Sequence, residues 1–291
     1  MKNGQPSDQD QLKNEELPIN LPPYSVILSV FEKDRALWFE QSIESMKKQS
    51  FPPDEILIIE DGPVSEEISK VVAKCVAKNP SLVKNIKLTN NMGLAEAMRI
   101  GVIEAKNEWI ARMDADDIAD PFRCEEELRL AMKNGADMVS CNYKEFIDSI
   151  DHVVARRIYP SDHESLVRLS HRRSPLCHAA VMMKKSKVIA AGNYRSNFVV
   201  EDYDLFIRML ISGAKCCSVN SFLYYVRAGE DYYKRRGGWK YVKNSLKFNV
   251  WMLKKQWSSP LDFLVRSAST AIVGLSPRQA RSWFYKSFLR N

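Results

Sequence analysis

The 291 residues are 45% hydrophobic and 27% charged, with a formal net charge of +7. That balance excludes a disordered or membrane-spanning chain and leaves room for one large or two small folded domains. Lys and Arg gather from Arg227 onward, which favours an anionic partner such as a nucleotide, a nucleic acid or an anionic lipid surface.

Residues 1–22 are polar, carry no apolar signal-peptide core and read as a disordered tail. Ser25 to Val30 is a short β-branched run and the first predicted strand. A helix follows over Leu37 to Lys48, stopped by Pro52 and Pro53. Glu55 to Ile59 is the second strand, and Asp61-Gly62-Pro63 turns the chain. The next helix, from Ser65 to Ala77, takes Ser65 as its N-cap. Asn85 to Thr89 is the third strand, Leu94 to Ala105 the third helix, and Glu108 to Met113 the fourth strand. Apolar runs this continuous suit strands covered on both faces, and their alternation with helices predicts an α/β domain with a mostly parallel sheet. Farther along, Asp137 to Tyr143 and Ala179 to Met183 read as strands, Tyr203 to Ser212 as a helix and Cys216 to Tyr225 as a late strand. Amphipathic helices broken at Pro260 and Pro277 fill the remainder. The six cysteines show neither C-x-x-C nor zinc-ligand spacing, as expected of reduced, buried thiols in a cytosolic enzyme. No window matches the roughly 18 apolar residues a membrane span needs.

Ligands of open parallel sheets bind beyond the carboxyl ends of the strands. Glu32 follows the first strand, Asp61 the second, and Asp114, Asp116 and Asp117 the fourth. Carboxylates this close can hold a hard divalent cation against diphosphate oxygens, or can form a solvated acidic turn or an N-cap for the helix after Pro121. Glu201-Asp202 opens the Tyr203 helix, where a carboxylate caps the helix or acts as a general base. His178 stands alone, as a structural or a catalytic side chain. Arg112, Arg123 and Arg227 lie near the acidic cluster in sequence and could screen phosphate.

SVILSVFEKDR, EILIIEDGP, the segment from Asn90 to Arg123 that ends in DADDIADPFR, SPLCHAAVMMKK and VEDYDLFIRML occur in one order between Tyr24 and Arg227. In that order they resemble the family two inverting glycosyltransferases with the GT-A fold. The resemblance implies a Rossmann-like, nucleotide-sugar-binding domain over residues 23–228 and a basic, aromatic helical region over 229–291. It implies that Val30, Glu32, Asp61, Asn91, Gly93, Asp114 and Asp116 border the donor nucleotide. Asp116 and Asp117 would hold Mn²⁺ or Mg²⁺, Asp202 would be the general base with Glu201 beside it, and His178 and Arg227 would lie toward the acceptor or the diphosphate. This sequence departs from the family pattern at Glu60, at His178-Ala179 and after Tyr225, where Val226-Arg227 replaces a late histidine; Arg227, or Arg235 and Arg236, would then hold the diphosphate. The C-terminal LSPRQARSWFYKSFLRN resembles the bacterial exopolysaccharide and O-antigen branch, such as the amylovoran-biosynthesis transferases.

The expected reaction moves a hexose or N-acetylhexosamine from a nucleotide-sugar, a UDP-sugar by resemblance, to a hydroxyl of a lipid-linked saccharide. The setting is the cytoplasm or the inner face of the cytoplasmic membrane, where the C-terminal aromatics meet lipid, pack on the catalytic domain or form a homodimer. Two other readings stand beside it: a sugar nucleotidyltransferase, and a noncatalytic nucleotide- or nucleic-acid-binding module suggested by the charge. The acidic strand ends disfavour nucleic acid, and no G-x-G-x-x-G follows the first strand as a dehydrogenase needs.

Overall fold

The computed structural model describes residues 20–228 and 238–276. Strands and helices alternate through the first part: β1 (Tyr24–Val30), α1 (Ala36–Lys47), β2 (Glu55–Glu60), α2 (Glu66–Lys78), β3 (Val83–Lys87), α3 (Leu94–Glu104) and β4 (Trp109–Met113). Then come β5 (Ile118–Ala119), α4 (Arg123–Asn134), β6 (Met138–Ile147), β7 (Ser149–Arg157) and α5 (His163–Ser170). A 3₁₀ turn at His178–Ala180, β8 (Met182–Lys184), α6 (Lys185–Ala190), α7 (Glu201–Ile211) and β9 (Cys216–Arg227) complete the domain. A hairpin of α8 (Trp239–Lys254) and α9 (Pro260–Leu275) follows.

The sheet runs β3-β2-β1-β4-β8-β6-β9-β5. β1, β2, β3 and β4 are mutually parallel, β8 joins antiparallel to β4 and β6, and β9 runs parallel along β6. β8 meets the start of β6, and β7 pairs with its far end. The chain steps from β1 out to β2 and β3, then returns to place β4 on the other side of β1. That reversal opens a crevice at the carboxyl ends of β1 and β4. Every residue of β2 and β4 is buried, as the apolar runs require of strands covered on both faces. α3 lies close over β1 and β2 at Gly101, where a Cβ would meet Ile59 and Ile27 at 3.1–3.3 Å.

The first half follows the sequence reading closely. Ser65 caps α2, its side chain accepting from the Ile68 amide at 3.3 Å. β3 begins at Val83 rather than Asn85 because the β2 register pairs Ile56 with Val83. In the middle, Ala179 and Ala180 belong to the 3₁₀ turn rather than to a strand, and only Met182–Lys184 pairs. β7 leaves no strand signal in the sequence because its side chains, apolar and polar alike, are mostly exposed and none is buried.

Pro260 breaks the C-terminal helices as expected and is the first residue of α9, behind a Ser259–Asp262 capping box. Pro277 and the residues of the N-terminal tail up to 19 lie outside the described residues. The inner faces of the hairpin pack on the domain: Phe248 is buried among Phe198, Tyr203 and Trp251, with ring centroids 5.1–5.6 Å away. Trp257 Nε1 donates to Ser170 Oγ at 3.0 Å. All six cysteines are free and buried. Among the described residues, no helix is long and apolar enough to cross a membrane.

Candidate active site

At the end of β2, the buried Asp61 organises the neighbouring turns. Its amide donates to Val30 O at 2.8 Å, which ties the ends of β1 and β2 together. Its carboxylate accepts from the Met92 and Gly93 amides at 2.7 and 3.0 Å, and Asn91 Nδ2 donates to its carbonyl at 3.2 Å. Gly62 lets this happen. It has φ +84°, and a Cβ there would stand 2.5 Å from Asn91 N. Val30, Asp61, Asn91 and Gly93, expected to border the nucleotide, therefore form one connected wall. Glu32 is exposed in the loop after β1.

Across β1, about 10 Å away by two strand spacings, β4 runs into the acidic segment. Carboxylate oxygens of Asp114, Asp116 and Asp117 lie within 4.8 Å of one another. Arg112, buried in β4, holds both Asp114 oxygens with its terminal nitrogens. Ser42 Oγ donates to the Asp114 carbonyl at 2.6 Å, and the Asp114 amide donates to Tyr224 Oη at 3.2 Å. With Asp114 compensated by Arg112, the unbalanced charge falls on the other two. Burial and the charge of Asp114 push the Asp116 carboxyl up to about 6. Burial, Asp116 and Asp114 hold Asp117 well above the carboxylate range. Hard oxygen donors converging this closely, with their negative charge disfavoured until a cation arrives, suit Mn²⁺ or Mg²⁺.

Arg227, at the end of β9, fastens this loop. Its amide donates to Asp117 Oδ1 at 2.8 Å, its Nε to the Asp116 carbonyl at 2.9 Å, and an NH₂ group to Gln41 Oε1 at 2.9 Å. The guanidinium lies over the Trp38 and Phe146 rings at 4.7 and 4.6 Å. The residue is half-buried beside the cluster.

Glu201 and Asp202 open α7. Burial and the charge of Asp202 push the Glu201 carboxyl up to about 7, and Arg112 and Asp114 act on it with opposite sign. Tyr194 is buried within the field of Arg112, Asp202, Glu201 and Asp114 together. The two acidic constellations, nearly ninety residues apart in sequence, are thus near enough for Arg112 and Asp114 to act on Glu201. Asp204, the third acid of that turn, is committed to Arg208 at 2.8 Å and is structural. His178 Nε2 lies 2.9 Å from Tyr194 Oη and packs edge-on to Phe206. Burial and then Arg112 hold its pKa well below the ordinary histidine value, so the ring is neutral at pH 7.

One expectation is corrected. Arg123 does not screen phosphate: it is fully buried, 3.2 Å from the equally buried Glu127, and donates to the Arg112 carbonyl at 2.9 Å. It supports the floor beneath the site, with Tyr224 stacked 5.2 Å away. Arg112 likewise serves Asp114 rather than open solvent. Tyr194, Tyr224, Ser42 and Gln41 escaped the sequence reading because nothing in their local pattern separates them from ordinary core or helix residues. Arg235 and Arg236 lie outside the described residues.

Comparison with known proteins gives this geometry a lineage. The chain is 30% identical over 271 residues to the UDP-Gal:alpha-D-GlcNAc-diphosphoundecaprenol beta-1,3-galactosyltransferase of Escherichia coli, covering 92% of this chain and 97% of the relative. It is 30% identical to the amylovoran biosynthesis glycosyltransferase AmsE of Erwinia amylovora, over 84% of this chain and 92% of the relative. Among solved structures, S. aureus TarS 1-349 aligns with a TM-score of 0.63 at 16% identity, covering 91% of this chain and 78% of that one. The mannosyltransferase PcManGT from Pyrobaculum calidifontis, in complex with GDP-Man and Mn²⁺, aligns at 0.62 with 13% identity, covering 93% and 77%. The fold is GT-A, residues 25–190 match the family model for glycosyl transferase family 2, and the chain belongs to that family.

Proposed function

We propose that this glycosyltransferase moves a hexose or N-acetylhexosamine from a UDP-sugar to a hydroxyl of a lipid-linked saccharide, in the building of a bacterial capsule, exopolysaccharide or O-antigen. What supports the reading is the cluster of Asp114, Asp116 and Asp117 at the carboxyl end of β4, with Glu201 and Tyr194 near enough for the charges of Arg112 and Asp114 to act on both. A metal-ion donor site and a carboxylate base at one crevice are what an in-line displacement needs. The E. coli and Erwinia relatives, by their names, favour a surface glycan and a diphospholipid acceptor. A TarS structure with UDP-GlcNAc, at a TM-score of 0.57, favours a uridine donor.

In this reading the Asp61 wall lines the nucleotide and Glu32 closes its outer edge. Asp116 and Asp117 hold Mn²⁺ or Mg²⁺, which, when bound, neutralises charge on the departing diphosphate. Arg227 keeps the Asp116–Asp117 segment in place and lends its positive charge to the diphosphate side of the site. Asp202 takes the proton of the acceptor hydroxyl. That oxygen bonds to the anomeric carbon as the bond from this carbon to the diphosphate oxygen breaks, and the configuration inverts. The neighbouring Glu201 raises the basicity of the pair by like-charge repulsion. Neutral His178 and Tyr194 shape the acceptor side without adding charge. The enzyme works from the cytoplasmic face of the membrane, where such an acceptor is found.

The test is transfer from labelled UDP-galactose, UDP-glucose and their N-acetyl forms to a synthetic GlcNAc-diphosphate carrying an alkyl chain, with the product's anomeric configuration read by NMR. Transfer with inversion supports the reading. Transfer with retention, or strong binding of GDP- but not UDP-sugars, overturns it.

A further inference from the structure

The face of α9 that turns away from the protein carries no charge. Leu261, Leu264, Val265, Ala268, Ile272 and Leu275 recur at the three- and four-residue spacing of one helical stripe and are all exposed. Leu261 and Leu264 are 62% exposed, Ile272 57% and Leu275 55%. An uncharged stripe about 20 Å long, from the helical rise, is more apolar surface than solubility alone explains. The opposite face of α9 is occupied: Ser267 meets Asn249 at 3.2 Å, and a Cβ on Gly274 would stand 2.4 Å from Val242.

The outer face of α8, the other helix of the hairpin, carries a second stripe. Lys240, Lys243, Lys247 and Lys254 share one face of that helix, all exposed, and α8 contains no acidic residue. The hairpin therefore presents an apolar ridge on one helix and, on the other, a row of lysines with no acidic residue of their own helix to oppose them. A protein partner would have to match both a bare aliphatic ridge and a lysine row, and a second copy of this chain would bring lysines toward lysines. An anionic bilayer satisfies both at once, with headgroup phosphates for the lysines and acyl chains for the ridge.

We infer that the α8–α9 hairpin is a membrane-docking surface that lies in the interface plane of an anionic bilayer, with the α9 ridge inserted and the α8 lysines against the headgroups. The hairpin packs against the acceptor side of the candidate site. Arg266 of α9 lies 4.8 Å over Tyr203, and Phe248 and Trp251 of α8 pack around Phe198 and Tyr203, the residue after Asp202. Docking by this surface therefore sets the height of the acceptor side of the site above the bilayer. That consequence rests on the proposed function; the docking itself does not, because it needs neither donor nor acceptor.

The experiment is co-sedimentation of the full chain with vesicles of phosphatidylglycerol and phosphatidylethanolamine, and with vesicles of phosphatidylcholine alone. Two surface variants are compared with the parent. One carries Leu261→Ser, Leu264→Ser and Ile272→Ser; the other carries Lys240→Gln, Lys243→Gln and Lys247→Gln. The parent is expected to partition onto the anionic vesicles and little onto the neutral ones. The leucine–isoleucine variant should bind at least about tenfold more weakly, and the lysine variant should lose about fivefold per lysine and most of its salt dependence. Circular dichroism and unfolding midpoints check that both variants are folded, and the lysine variant tests the surface even if the other misfolds. Failure of the parent to bind anionic vesicles, or equal binding by parent and both variants, overturns the inference. So does a concentration-dependent dimer in sedimentation velocity that the leucine–isoleucine changes abolish while vesicle binding is unchanged, since the ridge would then belong to a second copy. A failed transfer assay with intact vesicle binding would count against the proposed function alone.

Discussion

Replacing Gly62 with alanine is expected to cost about 3–4 kcal/mol of stability, and the comparison that isolates the cause is Gly93→Ala. Both glycines have left-handed backbones, with φ of +84° and +86°. Both substitutions therefore incur backbone strain, about 1–3 kcal/mol at Gly93, whose ψ of 161° lies in a region nearly confined to glycine, offset in part by a less flexible unfolded chain. They differ in what the new methyl meets. At Gly93 nothing lies within 4 Å, whereas at Gly62 the methyl would fall 2.5 Å from Asn91 N and 2.9 Å from Asn90 C. Those are backbone atoms, so no side chain can rotate aside and the 90–93 turn must move. Its movement stretches the bonds from the Met92 and Gly93 amides to Asp61. Losing one such charge-assisted bond is worth about 1.5–3 kcal/mol. Urea unfolding should therefore place Gly62→Ala about 1–2 kcal/mol below Gly93→Ala, and UDP binding should weaken in the first variant more than in the second. Equal stabilities, within about half a kcal/mol, would refute the idea that the Asp61 wall is held together by this close approach.

Glu201→Gln should stabilise the metal-free protein above pH 7. The folded carboxyl sits near 7, above its unfolded value, so the native state holds the extra proton between about 4.3 and 7 and stability falls as pH rises through that window. The gain should reach about 3 kcal/mol at pH 8 and vanish near pH 4, as read from unfolding midpoints; a pH-independent gain would contradict it. Asp117→Asn should likewise raise the melting temperature in EDTA, by relieving repulsion among the three aspartates, while removing the upward shift expected from Mn²⁺ in the parent. Arg123→Met should cost about 3–5 kcal/mol by stranding buried Glu127, and adding Glu127→Leu should recover a large part of that loss.

Much of the fold was legible because β1, β2 and β4 are buried on both faces, and burial of that kind writes continuous apolar runs into the chain. The acidic cluster was legible for the same reason: once β4 is located, Asp114 to Asp117 must emerge at its carboxyl end. What escaped the reading depends on residues distant in sequence. Tyr194 and Tyr224 look like ordinary core aromatics until the sheet carries them to Arg112 and Asp114. Arg123 looks like a surface cation because most arginines are, and the one available signal was Glu127 four residues on, the spacing of an intrahelical pair. β7 mixes apolar and polar residues with none buried, so its half-buried positions Val153, Ala155 and Arg157 do not spell an apolar alternation. Asp61 shows a different limit. Its position after β2 could be read, but not that both of its oxygens already hold the Met92 and Gly93 amides; a nucleotide contact there must share those lone pairs.

The central claim, that the aspartate cluster and the Glu201–Asp202 pair serve one transfer reaction, is tested most directly by turnover of a panel of UDP-, GDP- and dTDP-sugars. The panel is run with Mn²⁺, with Mg²⁺ and with EDTA, for the parent and for Asp202→Asn. The account predicts metal-dependent turnover of a UDP-sugar that falls by a factor on the order of 10²–10⁴ in the variant, while UDP binding and its metal dependence are retained. Turnover unchanged by Asp202→Asn, or nucleotide binding indifferent to metal, would contradict it.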